Sequence, residues 1–372
     1  MKIGIMTWLY NNNYGTVLQA YALQKKLRLK GYDCTLINYR ANTKAKIKNF
    51  IISKNSYKLI FEKIEAYFAK KNNPKKLEER FRKFNDFLIE NCNLSKLYTS
   101  PKNLNELNDI FDIFICGSDQ IWSPNLFNNI YYFSYVNNEK KKISYAPSFG
   151  VSSIENKKKS ARIKELLERY DKISVREEQG ANIIEELIGK NVSVVLDPTL
   201  LLSEKEWSDL LIKPNEKEKY ILCYFLGDKE IYWKKVDEIR RLTGYKVIVI
   251  PVHENSYRKD YELSISAGPR EFLGLIKNAE LVCTDSFHGS IFSINFRKDF
   301  FVFKRFSDDK VISQNSRIYN ILNMLGLNDR LINENKRLSY NNIVISNYDE
   351  VHEKLNIEKN KSISWLIEAI EK

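Results

Sequence analysis

Short apolar runs that end in polar residues, with helical patterns between them, recur along most of this chain and constrain its fold more than any other feature. An apolar run at residues 3–6 precedes a polar loop; a helix-forming run then starts at Gly15 and ends near Gly31, and the next strand lies at residues 34–39. This is a β-α-β unit, whose strands are parallel and whose crossover is right-handed. Residues 112–116 form a further strand that ends in Gly117-Ser118-Asp119-Gln120-Ile121-Trp122. Strands at 142–146, 173–175 and 192–196 end in Pro147-Ser148-Phe149-Gly150, Arg176-Glu177 and Asp197-Pro198. After a Lys/Glu-rich stretch at 203–219 the alternation resumes, with strands at 220–225, 245–252, 281–284 and 300–303 and helices at 229–242, from Pro269, at 316–325 and at 362–370. Two parallel α/β units follow from this pattern, one over residues 1–212 and one over 213–372. In open sheets of this kind ligands bind at the carboxyl ends of the strands, where the polar residues collect.

Between the second and third strands, residues 44–94 read as an inserted group of helices. Ile60, Phe61, Ile64, Tyr67 and Phe68 repeat at helical spacing, as do Phe81, Phe84, Phe87 and Leu88, with Pro74 between them. The net charge of +13 is partly local: residues 41–90 carry 13 Lys and Arg against 6 Asp and Glu. A basic amphipathic helix here could touch anionic lipid headgroups. A helical hairpin packed on its domain is the favoured reading, because most such stripes are core faces. No nucleic-acid-binding motif accompanies the charge, so nucleic acid is not expected as a partner.

The five cysteines are scattered without a CxxC pair, and three lie in apolar strands, which suits reduced, buried thiols. There is no run of about 18 apolar residues and no basic, apolar leader, so a cytoplasmic protein is expected, with the inner face of a membrane as its possible place of work.

The most informative stretch is Leu281-Val282-Cys283-Thr284-Asp285-Ser286-Phe287-His288-Gly289-Ser290-Ile291-Phe292-Ser293. A short strand, a tight turn and an apolar helical pattern place unpaired N–H groups at a helix start, where anions are favoured. Ser286 is the expected N-cap, Gly289 allows close approach to the backbone, and His288 can donate hydrogen bonds and carry a proton near neutral pH. With only three His in the chain, a metal site built from several His is not expected. The competing account of His288 is a structural hydrogen-bonder. At the other strand ends, Asp119 has the chemistry of a base on a sugar hydroxyl and Trp122 that of a stacking platform, against a cap and a core ring. Arg176 offers a bidentate grip on a carboxylate or phosphate, against a plain Arg–Glu pair. Arg317 could face the same cleft.

Four motifs resemble the polysaccharide pyruvyl transferase family, in order along the chain. They are Asn13-Tyr14-Gly15 with Leu18-Gln19-Ala20-Tyr21-Ala22-Leu23, Gly117-Ser118-Asp119-Gln120-Ile121-Trp122, Ser174-Val175-Arg176-Glu177, and the run from Gly268 to Ser293. The resemblance implies a GT-B-like fold, two Rossmann-like domains facing across a cleft. It also implies transfer of the pyruvyl group of phosphoenolpyruvate onto two hydroxyls of a sugar in a cell-surface polysaccharide or its precursor. Phosphoenolpyruvate is then a co-substrate, and neither cofactor nor metal is expected, since no DxD motif is present. On this reading His288, Asp119 and, more weakly, Asp285 are the acid–base candidates. Arg176, Ser286, His288, Gly289, Ser290 and Arg317 belong to the donor side. Asn13, Tyr14, Gly15, Gln120 and Trp122 belong to the acceptor side. The acceptor sugar, its linkage to a lipid and a peripheral membrane contact stay open. The alternatives are a nucleotide-sugar glycosyltransferase on the same fold and a basic, non-enzymatic protein that binds glycan or nucleic acid.

Overall fold

In a computed structural model of the chain, residues 1–10, 12–40, 73–307, 315–333, 338–339, 342–345 and 347–372 are described. The first sheet contains β1 (Lys2–Met6), β2 (Asp33–Leu36), β3 (Ile113–Cys116), β4 (Lys141–Ser144), β5 (Lys172–Val175) and β6 (Ser193–Val194), in the order β2-β1-β3-β4-β5-β6. The second contains β7 (Tyr220–Tyr224), β8 (Lys246–Val249), β9 (Glu262–Leu263), β10 (Leu281–Thr284), β11 (Asp299–Phe303) and β12 (Leu331–Ile332), in the order β12-β11-β10-β7-β8-β9. Every strand pair is parallel. Central strands such as β3, β7 and β10 are buried along their whole length, because helices cover both faces of a parallel sheet. These are two Rossmann-like α/β domains, and in each the strand order reverses beside the first strand: between β1 and β3, and between β7 and β10. A crevice opens at such a reversal.

The helix α1 (Tyr14–Leu29) is good helix-forming sequence buried on nearly all sides, because it lies between the two domains. Its first residue fastens them: the Tyr14 hydroxyl donates to the Ala267 carbonyl at 2.7 Å, and its ring stacks on Phe272 with centroids 4.2 Å apart. The helix α2 (Pro74–Asn91) opens with proline and buries Phe84, Phe87 and Leu88, so this part of the expected insertion packs as a core-facing helix. It too crosses the boundary, through Arg80 Nη1 to the Pro251 carbonyl at 3.0 Å and Lys83 to Glu271 at 2.8 Å. The stripe from Ile60 to Phe68 lies outside the described residues.

The terminal helix, α3 (Tyr348–Glu371), is longer than the 362–370 segment anticipated. Near its start His352 Nε2 pairs with the Ile294 carbonyl, and further along the Ser362 hydroxyl accepts from Leu196 N at 3.0 Å. One helix therefore straps both domains. No helix among the described residues is long and apolar enough to cross a membrane.

Candidate functional site

The reversal point of the first sheet gathers the tips of β3, β4, β5 and β6. Beyond β3, Asp119 adopts φ +74°, a conformation unfavourable for a residue with a side chain. It is held there from two sides. Ser148 N donates to its carbonyl at 2.8 Å, and Thr16 in the first turn of α1 donates its hydroxyl to Asp119 Oδ2 at 2.7 Å. At the tip of β5, the Arg176 guanidinium faces three carboxylates. Nη1 donates to Asp197 Oδ2 at 2.7 Å, Nη2 lies 3.7 Å from Asp119 Oδ1, and Nε lies 3.8 Å from Glu177 Oε2. Only the first contact is a hydrogen bond. Asp197, past β6, turns Oδ1 to Thr199 N and Oγ1 and offers Oδ2 to Arg176 and to the Ser118 hydroxyl. The Ser148 hydroxyl donates to Glu177 Oε1 at 2.7 Å.

The second domain supplies the opposite wall. The turn after β10 leads into α4, the helix Phe287–Asn295, with Ser286 accepting from Gly289 N at 3.3 Å as N-cap. Asp285 points away from the cleft: its two oxygens accept from Leu226 N at 2.6 Å and Gly227 N at 2.7 Å, which closes the crevice between β7 and β10. The Phe287 ring lies under two guanidiniums, with Arg176 4.6 Å and Arg317 5.7 Å from its centroid. His288 reaches the first domain, where its Nε2 is 3.5 Å from Asp197 Oδ2. Its ring lies against Gly15, where a Cβ would fall 1.9 Å from Nδ1. That contact, not ligand approach, is what requires glycine at the start of α1.

Burial and charge set the protonation of these groups. Burial opposes ionisation of Asp197 and of Asp119. The positive charges around them, from His288 and Arg176 beside Asp197 and from Arg176 and His288 beside Asp119, outweigh it and hold both carboxyls below the usual range. At Glu177 burial prevails over Arg176 and Arg317, and its carboxyl is pushed up. Burial, with repulsion from Arg176 and Arg305, presses the Arg317 guanidinium down to about 9. Two guanidiniums and three carboxyls thus share a dry site. Arg176 Nε and Nη2, Glu177 Oε2, His288 Nε2 and Gln120 Nε2 are buried without a hydrogen-bond partner, although such groups are normally paired. The arrangement suits an anion.

Of the residues singled out in the sequence, His288, Asp119, Arg176, Arg317, Ser286 and Gly15 meet along the domain boundary. Asn13 caps α1 through Thr16 N, and Gln120 packs on Gly150. Gly289 packs on Thr284, and the Ser290 hydroxyl donates to the Ser286 carbonyl within its own helix. Trp122 and Tyr14, expected on the acceptor side, lie in cores. Trp122 is fully buried and stacks on Tyr132 at 5.3 Å, while Tyr14 is held by Phe272 and Ala267, so neither presents a ring face to the cleft. Asp197, Glu177 and Thr16 complete the site. In the sequence, Asp197 and Glu177 mark only the polar ends of two strands. The signal for both was their place at a strand's carboxyl end, shared with Asp119 and Arg176.

The chain resembles solved structures over nearly its whole length. It superposes on UDP-GlcNAc 2-epimerase from Neisseria meningitidis bound to UDP-GlcNAc with a TM-score of 0.52 at 10% identity, covering 100% of this chain and 99% of that one. For the enzyme from Methanocaldococcus jannaschii the values are 0.50 and 12%, covering 97% and 93%. For the putative epimerase from Listeria monocytogenes they are 0.50 and 11%, covering 98% and 90%. At these identities the likeness concerns the fold, the GT-B arrangement of two Rossmann-like domains. No curated protein matches the sequence. Residues 13–305 match the family description "Polysaccharide pyruvyl transferase".

Proposed function

Because the chain belongs to the polysaccharide pyruvyl transferase family, and is therefore a transferase, we propose that it moves the pyruvyl group of phosphoenolpyruvate onto two hydroxyls of one sugar in a cell-surface polysaccharide or its precursor. The observation that carries this reading is the buried guanidinium of Arg176, whose Nε and Nη2 have no hydrogen-bond partner, beside Arg317 and the start of α4. Phosphoenolpyruvate brings two anionic groups, and such a wall supplies positive charge and N–H donors for both.

In this account Arg176 and Arg317 hold the donor, with Arg317 on the carboxylate. His288 grips the phosphate and assists its departure. Asp119, kept ionised and fixed by Thr16, takes the proton of the attacking sugar hydroxyl. Water is kept out because the site is closed between domains, which strengthens every charge interaction inside it. Asp285 is a positioning residue that ties the start of α4 to the loop after β7.

The nucleotide-sugar alternative finds less support here. Asp285 already occupies the two N–H groups that open the crevice of the second domain. The non-enzymatic reading gives way to family membership. The lipid linkage of the acceptor and a contact with the membrane face remain part of the proposal. The test is phosphate release from phosphoenolpyruvate with a panel of lipid-linked and nucleotide-linked sugars. Release with one acceptor class supports the reading, and transfer from a nucleotide sugar instead would replace it.

A further inference from the structure

The transfer begins with a step that no group assigned so far performs. The methylene carbon of an enol phosphate must receive a proton before its neighbouring carbon can be attacked, so the site needs an acid that still holds its proton. Asp119 and Asp197 are held ionised by Arg176 and His288, and Asp285 is turned away behind Leu226 N and Gly227 N.

Glu177 differs from all three. Its carboxyl is almost fully buried at the tip of β5, next in sequence to Arg176. Oε1 accepts the Ser148 hydroxyl at 2.7 Å, and that hydroxyl in turn accepts from Gly150 N at 3.2 Å. Oε2 has no hydrogen-bond partner, and it lies 3.8 Å from Arg176 Nε, itself unpartnered. Ser148 thus fixes the carboxyl by one oxygen and leaves the other as the place for a proton, beside the N–H groups that would anchor the donor. We propose that Glu177 is the general acid of the transfer and that it delivers the Oε2 proton to the methylene carbon of the donor. This rests on the pyruvyl-transfer reading above.

The surroundings favour the protonated form. The charged groups facing Glu177 are Arg176 beside it in sequence, Arg317 from the second domain, and Asp119 from the tip of β3. Burial outweighs the two arginines, and Asp119 adds to it. A donor bound to Arg176 and Arg317 brings further negative charge, which holds the proton in place.

The protons balance. The double-bond electrons take the Glu177 proton and form the methyl group. The adjacent carbon accepts the first sugar hydroxyl, whose proton passes to Asp119. Phosphate then leaves with the electron pair of its carbon–oxygen bond and takes the proton from Asp119. The second hydroxyl closes the ketal and returns its proton to Glu177. Two hydroxyl protons end on the methyl group and on phosphate, and both carboxyls are restored.

The experiment compares wild type with Glu177→Gln, which keeps the shape and an acceptor oxygen for Ser148. Turnover should fall by about 10² to 10⁴ while affinity for phosphoenolpyruvate changes by less than about threefold. Wild-type turnover should also decline on the alkaline side as Glu177 loses its proton, and the residual activity of the variant should lack that limb. Wild-type-like turnover in folded Glu177→Gln overturns this assignment and leaves pyruvyl transfer standing. Absence of phosphate release by the wild type overturns transfer itself. If Glu177→Gln does not fold, Glu177→Asp, which shortens the acid by one methylene, should keep donor affinity, lower turnover and move the alkaline limb. An unmoved limb with unchanged turnover would contradict the proposal.

Discussion

His288 of the second domain stands 3.5 Å from Asp197 of the first, its Nε2 against the Oδ2 that also takes Arg176. The two domains thus share one polar junction as well as the apolar contact around Tyr14 and Phe272. A charge in a dry junction is costly unless paired, so residues on both sides of the boundary depend on Asp197.

Asp197→Asn should destabilise the protein by about 3–5 kcal/mol, the cost of leaving buried positive charge without its partner. The pH dependence gives the sign. The Asp197 carboxyl is held below its ordinary range, so its contribution is present above the unfolded-state value of about 4 and is lost as pH falls through the folded-state value. Urea melts of wild type and variant should differ most near neutrality and converge under acid conditions. A gap that stays constant down to the acid limb would show that the carboxylate charge is not the cause.

Gly15→Ala places a methyl group 1.9 Å from His288 Nδ1. The ring must move, at a cost of about 1–3 kcal/mol for overpacking. Turnover should fall more steeply than this loss of stability suggests, because displaced catalytic geometry costs on the order of 10²-fold in rate. Unchanged kinetics together with a lowered Tm would make the Gly15–His288 contact purely structural.

Trp122→Ala should cost about 3–5 kcal/mol, as expected for an aromatic ring removed from a closed core. Donor and acceptor KM should be unchanged in whatever fraction remains folded. A stable variant with a raised acceptor KM would return Trp122 to the cleft.

Positive charge for the donor comes from Arg176 and Arg317, so phosphate release is expected to continue in EDTA. Complete loss that is restored by a divalent cation would refute this.

Much of the fold was legible because its signals are local. The strand runs at 281–284 and 300–303, the Ser286 cap and the helix from Ser316 to Leu325 stand where their patterns place them. The site was legible only in part. His288, Asp119 and Arg176 could be named because each sits at a strand's carboxyl end or at a helix start. Their pairing depends on how two separately folded sheets face each other, and no spacing encodes that: Asp197 and His288 are distant in sequence. Trp122 misled for the opposite reason. It follows polar residues at a strand tip, yet the short helical turn carrying it swings the indole back under Tyr132 and Phe149. Asp285 shares a turn with Ser286 and still points the other way, toward Leu226 and Gly227.

The most direct measurement is the shift in Tm produced by phosphoenolpyruvate alone, in wild type and in Arg176→Ala and His288→Ala. A ligand that binds only the folded protein at 100 times its Kd stabilises by about 2.7 kcal/mol, which gives a readily measured shift. A clear shift in wild type that disappears in folded forms of both variants is the expected result. No shift with phosphoenolpyruvate, but one with a nucleotide sugar, would contradict the central claim.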